Sequence, residues 1–103
     1  VNAPRQIVHD SSILLFDGVF LIRRELADLW DFSIFLTVTF EETLRRALLR
    51  DVELFGSQEE VGRRYRGRYI PGQQLYYSRE RPQDRADVLL DNEDTDAPRL
   101  IRR

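Results

Sequence analysis

The sequence predicts an α/β fold built on a parallel sheet, and three observations predict it. Short runs of mostly apolar residues recur along the chain: ILLF at 13–16, FSIFLTV at 32–38 and ADVLL at 86–90. Such runs suit strands buried on both faces. Between them lie stretches whose apolar residues repeat at intervals of three and four, as amphipathic helices require. The resulting order, strand, helix, strand, helix, helix, strand, then calls for right-handed crossovers between parallel strands.

Each element has a local reason. Residues 1–11 are polar and aperiodic and read as an arm, with the single histidine, His9, inside it. Asp17-Gly18 closes the first apolar run with a turn. Over residues 23–30, Leu26, Leu29 and Trp30 give a short amphipathic helix, and residues 32–38 form the second strand. Residues 40–55 carry the clearest helical stripe: Phe40, Leu44, Ala47, Leu48, Val52 and Phe55. Thr39 is placed to cap it with Glu42 in the capping-box position, and Gly56 stops it. Ser57 and Glu60 repeat that signature for a helix through Val61, Tyr65 and Tyr69, which Pro71-Gly72 breaks or kinks before a short segment over 73–77. Asp91-Asn92 ends the third strand, and the charged tail over 93–103 is expected to be loosely held.

Composition narrows the function classes. The chain has 103 residues, enough for one domain with a single core, and a net charge of −2. It has no cysteine, which excludes a disulfide framework, a thiolate metal site and a cysteine nucleophile, and makes the cytoplasm the expected compartment. All 16 basic residues are arginine, so there is no Schiff-base lysine and no G-x-x-x-x-G-K-[ST] phosphate loop in these residues. No apolar run reaches membrane-spanning length. The chain starts at Val1 and has no methionine, which fits an alternative start or a piece of a longer protein equally well.

Chemistry in an open α/β sheet gathers at the carboxyl ends of the strands, where Asp17, residues 37–39 and Asp91-Asn92 fall. Asp17 follows four apolar residues and precedes a glycine, a position from which a carboxylate can serve a Mg²⁺-phosphate site. From spacing alone, a plain turn is the stronger account of it. Arg46 and Arg50 sit one helical turn apart and would clamp phosphate oxygens, or else form weak surface pairs with Glu42 and Glu53, which spacing alone favours. Arg63, Arg64, Arg66 and Arg68 interleave with Tyr65 and Tyr69, an arrangement able to bind nucleic acid, but the acidic net charge argues against that use. Ser11 and Ser12 lie outside any G-x-S-x-G setting, so a serine hydrolase has no support.

Five segments together carry a likeness: LLFDGVFL at 14–21, WDFSIFLTV at 30–38, FEETLRRALLRD at 40–51, RRY…GQQLY within 63–76 and ADVLLDN at 86–92. In order and spacing, the chain from about residue 13 to 98 resembles the C-terminal half of uridine kinase-like P-loop kinases. The resemblance implies a parallel sheet with helices on both faces, P-loop NTPase-like but lacking the phosphate-loop strand. It also implies transfer of a phosphoryl group from ATP, with Mg²⁺, to a nucleoside. Asp17 takes the acidic-glycine position near the metal, and Arg46 and Arg50 the lid helix that reaches the transferred phosphate. Ala47 stands where relatives often carry a second consecutive arginine. Arg64 and Tyr65 fall on the substrate side, and Asp91 and Asn92 in the loop against which the adenine packs. The phosphate loop and the acidic base belong to the half not matched, so the chain alone is expected to be inactive. The missing strand would lie between residues 12–16 and 32–38, so two unpaired edges and self-association are expected. A non-catalytic remnant or interaction module of the same fold is the alternative.

Overall fold

The computed structural model describes residues 4, 5 and 7–103. Strand β1 (Ile34–Thr37) follows a one-turn helix, α1 (Arg24–Ala27). Helices α2 (Phe40–Arg50), α3 (Val52–Phe55) and α4 (Gln58–Arg64) come next, and a π-helical turn (Tyr65–Tyr69) joins α4 to α5 (Ile70–Glu80). A short α6 (Pro82–Arg85) leads into β2 (Val88–Asp91) and β3 (Arg99–Arg102). The sheet order is β1-β2-β3. β1 and β2 are parallel, with Ile34 opposite Val88 and Thr37 opposite Asp91. β2 and β3 are antiparallel, with Leu90 opposite Leu100 and a register break between Leu89 and Leu90. No helix among the described residues is long and apolar enough to cross a membrane.

This is a three-stranded mixed sheet, and it corrects the expected parallel sheet with helices on both faces. Two changes produce the difference. Residues 13–16 form no strand: Ile13, Leu14 and Leu15 are largely exposed, and Phe16, more than half exposed, lies against the Trp30 ring, 5.5 Å away. An apolar run specifies burial but not a pairing partner, and here none is supplied. The tail, expected to be loose, instead returns along β2 as an antiparallel strand. Helices also cover one face only. Phe35 points to α5, its ring edge-on to Tyr77 at 5.4 Å, whereas Ile34 and Leu36 on the opposite face remain half exposed. The arm expected over 1–11 falls partly outside the described residues, at 1–3 and 6.

The parallel pair is clamped at both ends by side chains. At its start, Asp87 accepts from the Ser33 N–H at 2.8 Å, and the Ser33 Oγ accepts from the Asp87 N–H at 3.2 Å. At its end, Glu93 accepts from the Thr39 N–H at 2.8 Å and from the Thr39 hydroxyl at 2.7 Å. The same hydroxyl caps α2 by accepting from the Glu42 N–H at 3.1 Å. Glu42 does not return the bond as a capping box would, because Glu93 already holds the Thr39 N–H. The continuous helix expected over 40–55 breaks at Asp51, whose φ of −99° and ψ of 1° lie outside the helical region. Gly56 then reverses the chain at φ +93°, and the Ser57 hydroxyl caps α4 as expected, accepting from the Glu60 N–H at 3.1 Å.

Pro71 does not end the long helix. It sits in the first turn of α5, immediately after the π turn. A proline removes one N–H and crowds the carbonyl four residues back, and widening the preceding turn by a residue relieves both. The segment ahead of β1 is tied down by polar contacts rather than burial. The Ile22 N–H donates to the Tyr76 hydroxyl at 3.0 Å, the Arg24 N–H to Glu80 at 3.1 Å, and the Trp30 indole to the Leu21 carbonyl at 2.6 Å. Among the described residues the fully buried apolar side chains are few: Ala47, Val61, Pro82 and Ala86. The radius of gyration, 16.1 Å, exceeds the roughly 13 Å of a tightly packed chain of this length. Aromatic contacts and end-clamps therefore carry much of the cohesion.

Thr39 serves cap and clamp together, so Thr39→Ala is expected to lower unfolding free energy by about 1–2 kcal/mol, with Thr39→Ser retaining most of it. Urea denaturation followed by circular dichroism reads this directly. An unchanged midpoint in Thr39→Ala would show that neither contact matters.

Candidate functional site

An open cleft of about 730 Å³ lies where the end of α2 faces the C-terminal half of α4 and the π turn. Its geometry follows from two chain reversals. Asp51 breaks the helix and Gly56 turns the chain back, which sets Asp51 and Phe55 against Tyr65. The π turn then places Tyr65 and Tyr69 side by side, with ring centroids 4.7 Å apart. Phe20 closes one side in a left-handed conformation, φ +61°, held by edge-on packing against Tyr76 at 5.3 Å. A non-glycine residue in that region costs about 1 kcal/mol, so its surroundings must impose it.

A polar knot forms one wall. Arg50 donates to both Asp51 oxygens, at 2.8 and 3.1 Å, and to the Tyr65 hydroxyl at 3.1 Å, while that hydroxyl donates to Asp51 at 3.0 Å. The Arg50 guanidinium, and then the Tyr65 hydroxyl, hold the Asp51 carboxyl below its ordinary range. Burial, reinforced by the Asp51 carboxylate, pushes the Tyr65 phenol upward. The phenol is thus a neutral donor. Across the cleft, Arg64 lies over the Phe55 ring at 4.5 Å and donates to Glu60 at 2.9 Å. Arg63 shares Glu60, and these two arginines, Arg63 foremost, lower its pKa. Arg68 also lines the cleft and makes no ion pair among the described residues. The result is a half-apolar groove with aromatic walls and more guanidiniums than carboxylates, suited to a flat, negatively charged ligand.

The residues expected from sequence fall into three groups. Arg64 and Tyr65 line the cleft, along with Arg63 of the same arginine cluster, and Arg50 stands behind its wall, bonded to Asp51 and the Tyr65 hydroxyl. Arg46 goes elsewhere: it donates to the carbonyls of Asn92 and Glu93, both at 2.8 Å, and to Glu42 at 2.7 Å, fastening α2 to the end of β2. Asp91 and Asn92 are joined to it as structure. Asp91 accepts from the Glu93 N–H at 2.9 Å and from Arg99 at 3.2 Å, and both lower its pKa, the backbone donor first. The Asn92 N–H extends the parallel ladder to the Thr37 carbonyl at 2.9 Å. Asp17 is exposed on the unpaired segment. Phe20, Asp51 and Phe55 had no functional signal in the sequence, since their roles depend on the two chain reversals.

The residues implied for ATP and Mg²⁺ are exposed or engaged with the chain itself. Among the described residues no cluster of three or more potential metal-ligating side chains forms, and Asp17 is exposed. Asp91 spends its oxygens on the chain itself, and no lysine or glycine-rich loop is present to cradle phosphates.

The Glu42 carboxylate on α2 sits between Arg45 and Arg46, and these hydrogen bonds, Arg45 first, lower its pKa from 4.5 to about 2. Because the folded state favours the ionised form, this contribution is complete above pH 4.5 and fades as pH falls towards about 2. The stability gap between wild type and Glu42→Gln is expected to close over that window in denaturation at stepped pH. Parallel profiles would show that the pair does not couple to folding.

No protein-family model, curated protein or solved structure matches the chain.

Proposed function

We propose that this chain forms the substrate side of a uridine kinase-like nucleoside-phosphorylating protein of the cytoplasm, binding the nucleoside and its 5′-phosphate in the arginine-tyrosine cleft. The meeting of Arg50, Arg64 and Tyr65 around one groove carries the reading. Arg64 and Tyr65 are neighbours in sequence and line the groove, Arg50 joins them through the Tyr65 hydroxyl, and the tilted Tyr65 and Tyr69 rings lie beside them. The Phe55 and Tyr69 rings offer faces for a pyrimidine. Arg64 and Arg68 offer forked donors for phosphate, and the Tyr65 hydroxyl, its hydrogen committed to Asp51, can accept from a sugar hydroxyl. The ordered segment likeness to uridine kinase-like enzymes supplies the substrate class, and the absence of cysteine supports the cytoplasmic setting. Phosphoryl transfer depends on groups that hold the β- and γ-phosphates, and this sequence contains no lysine for that task.

A second reading, a non-catalytic interaction module, is favoured by a separate observation: the apolar face of the sheet carrying Ile34, Leu36 and Leu100 is uncovered. Ligand binding separates the two. In calorimetric titration, uridine 5′-monophosphate is expected to bind more tightly than uridine. Arg64→Ala and Arg68→Ala should each weaken the monophosphate about tenfold, the effect of losing one charge-assisted contact, with little change for uridine. The chain alone should release no ADP from ATP in the presence of uridine. Absence of saturable binding by either ligand would leave the interaction module as the better reading.

A further inference from the structure

We propose that the free edge of β1 is a self-association surface, and that its occupant is β1 of a second copy of this chain, paired antiparallel about a two-fold axis. This inference stands on the sheet alone and is independent of nucleoside binding. In a parallel ladder, alternate residues of a strand direct both backbone groups to one neighbour. Ser33 and Thr37 give their carbonyls to β2, accepting from the N–H groups of Val88 and Asn92 at 3.1 and 2.9 Å. The alternation therefore sends the N–H and C=O of Ile34 and Leu36 to the opposite side. No described residue pairs with them, because β1 has β2 as its single neighbour.

The two edges of this sheet differ in how they are guarded. β3, at the far edge, has arginines at both ends and a register break beside it. Those are features that discourage pairing with another chain. Residues 32–38 (FSIFLTV) contain no charge, no proline and no bulge. The side chains on the outward positions are apolar and open: Phe32 is 62% exposed, Ile34 54% and Leu36 50%. Residues 13–16, at least 61% exposed, enter beside Trp30 just ahead of β1. At on the order of 100 Å² for each large apolar side chain, these segments approach the roughly 800 Å² per partner that a stable interface covers.

The strand is also self-complementary. With Ile34 opposite Leu36 of a second copy, each N–H meets a carbonyl across the axis, and the symmetric pair repeats the exchange. The two side chains then sit next to each other on the uncovered face, forming an aliphatic cross-strand pair. A two-fold arrangement consumes the free edge of both copies and closes the assembly at a dimer.

Sedimentation velocity on the whole chain from about 1 to 100 µM tests this, since micromolar association falls in that range. A monomer–dimer equilibrium is expected. Leu36→Pro removes an N–H that faces outward, so the β1–β2 ladder keeps its bonds, and it should weaken dimerisation at least about tenfold. Should that variant not fold, Leu36→Lys places a charge on the edge with the same expected effect. Hydrogen exchange on wild type supplies a readout without substitution. The Ile34 and Leu36 amides should gain protection with rising concentration, whereas Phe35 and Thr37 are protected throughout. A monomer across the whole range would overturn the proposal, as would open-ended assembly. So would a dimer unaffected by the Leu36 variants but lost in Leu100→Lys, which would mean that the sheets pack face to face. Concentration-dependent protection at residues 13–16 would instead make that segment the added strand.

Discussion

Tyr77 is the point at which the strand, the capped helix and the long helix are joined. Its ring meets Phe35 of β1 edge-on at 5.4 Å, stacks on Phe40 of α2 at 5.6 Å, and lies 5.9 Å from Tyr76. Aromatic pairs of this kind contribute about 0.5–1.5 kcal/mol each beyond simple burial. In a chain with so few fully enclosed aliphatic side chains, that share is large. Burial also pushes the Tyr77 phenol upward, so the ring stays neutral where it is packed. The start of α2 is thus set by Phe40 on Tyr77, and its middle by Arg46 on the Asn92 and Glu93 carbonyls. With those two points fixed, the direction in which Asp51 and the chain beyond it leave the helix is fixed too.

The use of arginine alone suits this economy of packing. A guanidinium presents a planar fork, and the fold uses that fork locally: Arg45 with Glu42 at 2.6 and 2.7 Å, and Arg50 with Asp51 at 2.8 and 3.1 Å. Exposed pairs of this kind contribute little to stability. Their effect is to decide which cations stay committed to the chain and which face outward. Arg46, with carbonyls as partners and a quarter of its side chain exposed, is held as an internal strut. Arg64 is shared between a carboxylate and a ring, and Arg68 lies open on the cleft.

Much of the local structure was legible in the sequence, because it depends on near neighbours. Thr39, Gly56 and Ser57 do what their types and spacing imply, and the apolar runs at 32–38 and 86–90 both contain strands, shorter or shifted by a residue or two. The topology was less legible. ILLF at 13–16 has the composition of a buried strand, but composition carries no information about a missing neighbour. Leu100 and Ile101 lie between arginines, so the return strand looked like a charged tail. At the candidate site, Arg64 and Tyr65 were marked by their crowding with other arginines and tyrosines. Asp51, which joins Tyr65 across fourteen positions of sequence, could emerge only after the chain turned back at Gly56. Arg46 and Arg50 looked equivalent one turn apart, and the break after Arg50 is what separates their partners.

The widened turn over Tyr65–Tyr69 also resolves a problem of phase. On an ideal helix, about 100° per residue, Gln73 would be rotated by about 120° from Val61. Yet both are buried on the same body of the protein. One extra residue in the turn takes out about 100° of that drift and brings the two side chains back to nearly the same bearing. The helix therefore behaves as two rods coupled through an angular offset, each with its own buried stripe. A periodicity search run straight through it averages the two stripes out of step. The offset beside Pro71 thereby sets which residues downstream turn inward: Gln73 is enclosed and Tyr77 meets Phe35 of β1.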